Sequence, residues 1–150
     1  MAEISFYQLT QGSLEKSVAK LLEKVYLAGL KSVLFFETPE ALEIYNKLLW
    51  TFSSKVFLPH GSKKEGQSDE QPLWLTTTFE NPNEADVLAC VEGSTIPDFK
   101  GFKRCLDIFN GHDDDAVTGA RKRWKAYKEA GHALTYWKQD DNGRWEKQNI

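Results

Sequence analysis

From Ile4 to Leu9 the side chains alternate, with Ile4, Phe6 and Gln8 on one face and Ser5, Tyr7 and Leu9 on the other, so the chain is predicted to open with a strand. Gly12 and Ser13 break that pattern. Ser13 is a candidate N-cap, Glu15 falls in the first turn, and Leu14, Val18, Leu21, Leu22 and Val25 recur at helical spacing, which predicts a helix of about four turns ending near Gly29. Ser32 to Phe36 is a short, largely apolar run, the pattern of a strand covered on both faces. Thr38 then caps a second helix, whose buried stripe is Ala41, Leu42, Ile44, Tyr45, Leu48 and Leu49 and which carries Trp50 near its end.

Beyond Val56, Phe57, Leu58 and Pro59, the stretch from Gly61 to Gln71 is polar and rich in Lys, Glu, Gly and Ser, and is expected to be a mobile loop. Strands are predicted at Pro72 to Thr78 and at Asp86 to Val91, with the turn signal Asn81, Pro82, Asn83 between them. Arg104 to Asn110 reads as another strand, after which Asp113 to Asp115 supply an N-cap and acidic first-turn residues for a helix that stops at Gly131. His132 to Lys138 and Trp145 to Asn149 flank a hairpin-type turn at Asp140, Asp141, Asn142, Gly143. Strands alternating with helices, and no internal repeat, predict a single α/β domain over residues 1–150, three layers deep, with a mainly parallel sheet flanked by helices.

Composition narrows the function more than the fold. The chain is 41% hydrophobic and 27% charged, its mean hydropathy is −0.51, and no apolar run approaches the ~20 residues that span a bilayer. The N-terminus goes directly into the first strand pattern without a basic stretch followed by an apolar one, so a cytoplasmic protein without membrane attachment is expected. Cys90 and Cys105 each sit inside an apolar strand-like segment, where a thiol behaves as a small hydrophobe rather than as a redox or metal group.

Catalytic patterns are absent. Gly61 to Gly66 has the Gly-x4-Gly spacing of a phosphate-binding loop, but Gln67 stands where that loop needs its lysine and Pro72 soon leads into a strand-like run. His60, His112 and His132 are too widely spaced to form a metal pair, and consecutive Asp113, Asp114 and Asp115 point in different directions on a helix. No Gly-x-Ser-x-Gly occurs. The expectation is a protein that is not an enzyme and needs neither metal nor cofactor.

What stands out instead is Arg121 to Lys128, five cations and two aromatics in eight residues. In a chain of net charge −3 those five cations leave −8 on the remainder. On a helix, Arg121, Trp124, Lys125 and Lys128 share one side while Arg123 and Tyr127 form a neighbouring row. Three readings follow: a solvated face over inward-packed rings, an acidic-peptide site, or a single-stranded nucleic-acid site in which Trp124 and Tyr127 stack bases while cations track phosphates.

Phe6-Tyr7-Gln8-Leu9, Trp50 followed by Phe57-Leu58-Pro59-His60, and above all Ala120-Arg121-Lys122-Arg123-Trp124-Lys125-Ala126-Tyr127-Lys128 with Ala130 and Gly131, resemble the chi subunit of bacterial DNA polymerase III over nearly the whole chain. The resemblance implies a nucleotide-binding-like fold without a functional phosphate loop. It also implies an adaptor that links the clamp loader, through the psi subunit, to the acidic C-terminal tail of single-stranded-DNA-binding protein, and so associates with DNA only indirectly. That tail ends in Pro-Phe with a free carboxylate. Its chemistry calls for an apolar slot, a fork of donors and diffuse positive charge. Arg121 is then the candidate for the carboxylate, Trp124 for the wall of the Phe slot, and Lys125 and Lys128 for the surrounding charge. Val117 stands where the best-known members carry a further lysine one turn before the arginine, a loss that Lys122 or Arg123 is expected to offset. Trp50 and Phe57 are the candidates for psi binding.

Overall fold

The computed structural model describes residues 3–10, 12–51, 61–62, 71–78, 80–91, 101–140 and 142–148, without the side chains of 50 and 51. The Trp50 side chain and Phe57, the two residues expected to meet psi, therefore lie outside the described residues, as does His60.

The elements run β1 (Glu3–Leu9), α1 (Leu14–Leu27), β2 (Ser32–Phe35), α2 (Pro39–Thr51), β3 (Gly61–Ser62), β4 (Leu73–Thr76), β5 (Val87–Val91), β6 (Arg104–Asn110), α3 (Asp114–Glu129), β7 (Ala133–Gln139) and β8 (Trp145–Lys147). They build one eight-stranded sheet in the order β3-β4-β2-β5-β6-β1-β7-β8. Every neighbouring pair is parallel except the β7–β8 hairpin.

Alternation along the strands separates two cores. Leu34, Leu73, Leu75, Val87, Ala89, Val91, Leu106 and Ile108 face Val18, Leu21 and Leu22 of α1 and Tyr45 and Leu49 of α2. The intervening residues Ile4, Phe6, Val33, Trp74, Leu88, Cys90, Cys105 and Phe109 face Ala120 and Tyr127 of α3. The result is the expected α/β layering, with α1 and α2 on one face of a mostly parallel sheet and α3 on the other. Both cysteines are buried and free, and burial pushes the Cys90 thiol well above its ordinary value.

The helix ends follow local chemistry. Ser13 Oγ accepts from Lys16 N, Thr38 Oγ1 from Ala41 N, and Asp113 Oδ1 from Asp115 N and Ala116 N. α1 and α3 finish alike, with Gly29 at φ 82° and Gly131 at φ 89°. Leu30 N donates to Val25 O, and His132 N to Tyr127 O, so carbonyls of the last turn are satisfied by the chain that follows.

Some boundaries differ from expectation. The strand predicted from Pro72 to Thr78 is only Leu73–Thr76, because the Thr76 hydroxyl takes the N–H of Thr78 and turns the chain away from the sheet. The stretch expected to be a loop from Gly61 begins as a strand, with Gly61 and Ser62 paired in register to Trp74 and Leu75. Residues 63–70 lie outside the described residues.

Candidate functional site

Helix α3 reads as one basic stretch in sequence, but the fold divides it into two rows. Ala120, Arg123 and Tyr127 are buried against the sheet, a spacing of three and four that places them on one helical face. Arg123 is 9% exposed, and its cation is answered by Asp107, itself 4% exposed in the middle of β6. Arg123 Nε donates to Asp107 Oδ2 at 2.6 Å and Nη2 to Oδ1 at 2.9 Å, a two-pronged pair. Gly119 leaves room for it, since a methyl group there would stand 3.2 Å from Arg123 Nη1.

Burial pushes the Asp107 carboxyl above the usual carboxylate range despite the pull of Arg123. Burial works against the Arg123 charge as well, but the hydrogen bond and charge of Asp107 outweigh it. Arg123 therefore does not offset the missing lysine at Val117. Tyr127, 8% exposed in the same core, does not offer a face for stacking bases. Of the two residues expected to offset that lysine only Lys122 stays exposed, and Tyr127 follows the reading in which the rings pack inward, because helical phase alone does not say which row meets the sheet.

The outer row is different. Val117 is partly buried and packs on the α3 core, Trp124 is partly buried, and Arg121, Lys122, Lys125 and Lys128 are exposed. The Trp124 ring meets Phe6 edge-on at 5.3 Å between centroids and Tyr136 of β7 at 5.8 Å. Burial pushes the Tyr136 phenol above its ordinary value, while the charge of Arg121 pulls the other way. Trp124 thus packs along the seam between α3 and β7, and Arg121, three residues before it, shares its side of the helix. Tyr136 also donates to Gln8 Oε1 on β1. Together these groups place a guanidinium, an indole and two lysines on one strip.

Sequence reasoning missed Tyr136, Phe6 and Gln8 as the floor of that strip. Strand parity puts Tyr136 on the same face as Leu134, but only the register Phe6↔Tyr136 brings β7 beside β1. Two hollows lie elsewhere, and neither is lined by Arg121 or Trp124. One, about 570 Å³, sits at the N-terminal end of α3 and is lined by Asp113, Asp115 and Arg123 among others. Where many α/β folds seat a phosphate on a helix N-terminus, an anion would here meet two carboxylates. The other, about 760 Å³, lies between α1 and the β7–β8 hairpin. Among the described residues no group of three or more His, Cys, Asp or Glu is placed to hold a metal ion, and no helix is long and apolar enough to cross a membrane.

A family model described as DNA polymerase III chi subunit, HolC, matches residues 1–135. A relative from Rickettsia prowazekii (strain Madrid E), named "Probable DNA polymerase III subunit chi", is 35% identical over 109 residues, which is 73% of this chain and 66% of the relative's length. The stretch Arg121 to Lys128 and the strand β6 before it fall inside the family match, which ends within β7, short of Tyr136. On that extent of agreement, the chain belongs to the DNA polymerase III chi subunit family.

Proposed function

We propose that this protein is a non-catalytic accessory subunit of DNA polymerase III that receives the acidic C-terminal tail of single-stranded-DNA-binding protein on the α3–β7 seam and links it, through psi, to the clamp loader. The observation that carries the reading is the row of exposed cations Arg121, Lys125 and Lys128 beside the partly exposed Trp124, whose ring packs on Tyr136. A terminal carboxylate finds a planar guanidinium with parallel donors. The neighbouring Phe ring lies against the exposed part of Trp124, with Val117 at the end of the strip. Lys125 and Lys128 meet the aspartates upstream, with Lys122 as the remaining exposed cation of the stretch. Val117 in place of a lysine makes the tail's aspartates depend more on those three. Psi is proposed to bind at Trp50 and Phe57.

A peptide interface of this size binds at about the micromolar level and weakens as salt rises. Replacing Arg121 by Ala is expected to cost over ~1.5 kcal/mol in tail binding, read by calorimetry or fluorescence anisotropy with a peptide of the tail sequence. Because Arg121 is exposed, thermal unfolding should not change. Full affinity in that variant removes Arg121 from the site.

A further inference from the structure

The hollow of about 760 Å³ on the opposite face of the sheet has a composition that the tail-binding role does not use. One wall is α1, which contributes Lys16, Lys20 and Lys24 at intervals of four residues, all exposed. That spacing puts the three lysines on one side of α1, their Cα atoms about 6 Å apart along the axis at 1.5 Å per residue. The other wall is the β7–β8 hairpin with Arg144, and the floor is aromatic. Tyr7 lies nearly parallel to Trp137 at 6.2 Å and 8°, and meets Trp145 edge-on at 5.2 Å. Both tryptophans are partly exposed. Among the described residues that line the hollow there is no carboxylate, although the chain as a whole carries −3.

We infer that this groove binds a short stretch of single-stranded nucleic acid, its phosphates following Lys16, Lys20, Lys24 and Arg144 and a base lying against Trp137 or Trp145. Cations in a row beside flat aromatic faces are the two components of sequence-tolerant single-strand binding, in which charge tracks the backbone and rings stack on bases. The volume falls within the ~300–1,000 Å³ typical of ligand sites, so it accommodates a short piece of a longer strand. The charge is spread along the groove rather than gathered at one point, which suits a polymer of phosphates better than a single terminal carboxylate. The basic stretch of α3 faces away, across the sheet, so the two sites are separable. The inference adds a direct contact with a strand to a role that otherwise reaches DNA only through a partner.

The test is fluorescence anisotropy of the full chain with a short labelled oligothymidylate at low salt. Four phosphate contacts predict that log K falls with log salt at a slope of about −3. Changing Lys16, Lys20 and Lys24 together to Gln should lower affinity at least about tenfold and reduce the slope to about −1, with thermal unfolding unchanged because all three are exposed. Trp145→Ala should lower affinity about tenfold through the lost stack. A variant with Lys122, Lys125 and Lys128 changed to Gln removes the same charge from α3 and should bind the oligonucleotide nearly as well as the parent. The tail peptide should bind the Lys16, Lys20, Lys24 variant with parental affinity.

Four results would overturn the inference. They are absence of oligonucleotide binding at low salt, equal loss in the two lysine variants, competition by a mononucleotide as strong as by the oligomer, and loss of tail-peptide affinity in the α1 variant. The last would assign the groove to an acidic peptide. Failure of tail binding in the parent protein, by contrast, bears only on the α3–β7 seam.

Discussion

The two faces of the β1–β7–β8 edge each set a lysine-bearing helix over aromatic strand residues, yet they hold those helices differently. On one face α1 is seated by Val18, Leu21 and Leu22, its lysines stand clear, and an open groove runs between them and Trp137 and Trp145. On the other, α3 is seated by apolar residues together with the buried pair of Arg123 and Asp107, and Trp124 closes over Phe6 and Tyr136. The helix with the denser run of charge in sequence thus gives one of its cations to the interior, whereas the sparser row on α1 keeps all three at the surface. Density of charge along a chain is a poor guide to charge available to a partner. Phase relative to the sheet decides it.

The largest test of that contrast is Arg123→Met. Removing one partner of a buried pair leaves Asp107 uncompensated and should cost about 3–5 kcal/mol, read from urea unfolding. Because burial outweighs the attraction felt by Asp107, adding Asp107→Leu should restore most of that loss. A double variant no more stable than the single would show that the pair holds the helix in a way an apolar pair cannot.

A smaller difference is expected between the two tryptophans. Trp124 meets two rings and Trp145 meets Tyr7, and both are partly exposed. Trp124→Ala should therefore lose about 2 kcal/mol of stability and Trp145→Ala about 1 kcal/mol. Equal losses would break the distinction between a closed seam and an open groove. The smallest effect sharpens the comparison at the helix starts, where Asp113 accepts from two backbone N–H groups and Ser13 from one. Each Ala variant should lose about 1 kcal/mol, with Asp113 losing more because its charge also meets the positive end of α3. Thermal unfolding of the pair gives the order.

Elements whose signals are local were legible in advance. Ser13 and Gly29 bound α1, Asp113 and Gly131 bound α3, and the apolar run at Ser32 formed a strand covered on both faces. Asp140 organises the predicted hairpin turn, its Oδ1 accepting from Asn142 N and Arg144 N. Where competition between a side chain and the sheet sets the boundary, as at Thr76, the pattern of apolar residues overran the element. The candidate strip was legible only in outline. Arg121, Trp124, Lys125 and Lys128 share a side by helical geometry, but the same geometry placed Arg123 and Tyr127 in an adjacent row without saying that this row is the buried one.

The amino-acid sequence by itself determined the helices, their caps, the alternation of the strands and the basic stretch, because each depends on residues within a few positions of one another. Tertiary structure alone decided which cations remain available. The partner of Arg123 lies on another element, and the neighbour of β1 is a strand some 130 residues away, as the bond between Ser5 and Thr135 shows. It likewise made a groove from Lys16, Lys20, Lys24, Trp137 and Trp145, residues whose spacing in sequence carries no sign that they meet. Contacts of that range are set by strand order, which follows from the packing of the whole sheet rather than from any short stretch of the chain.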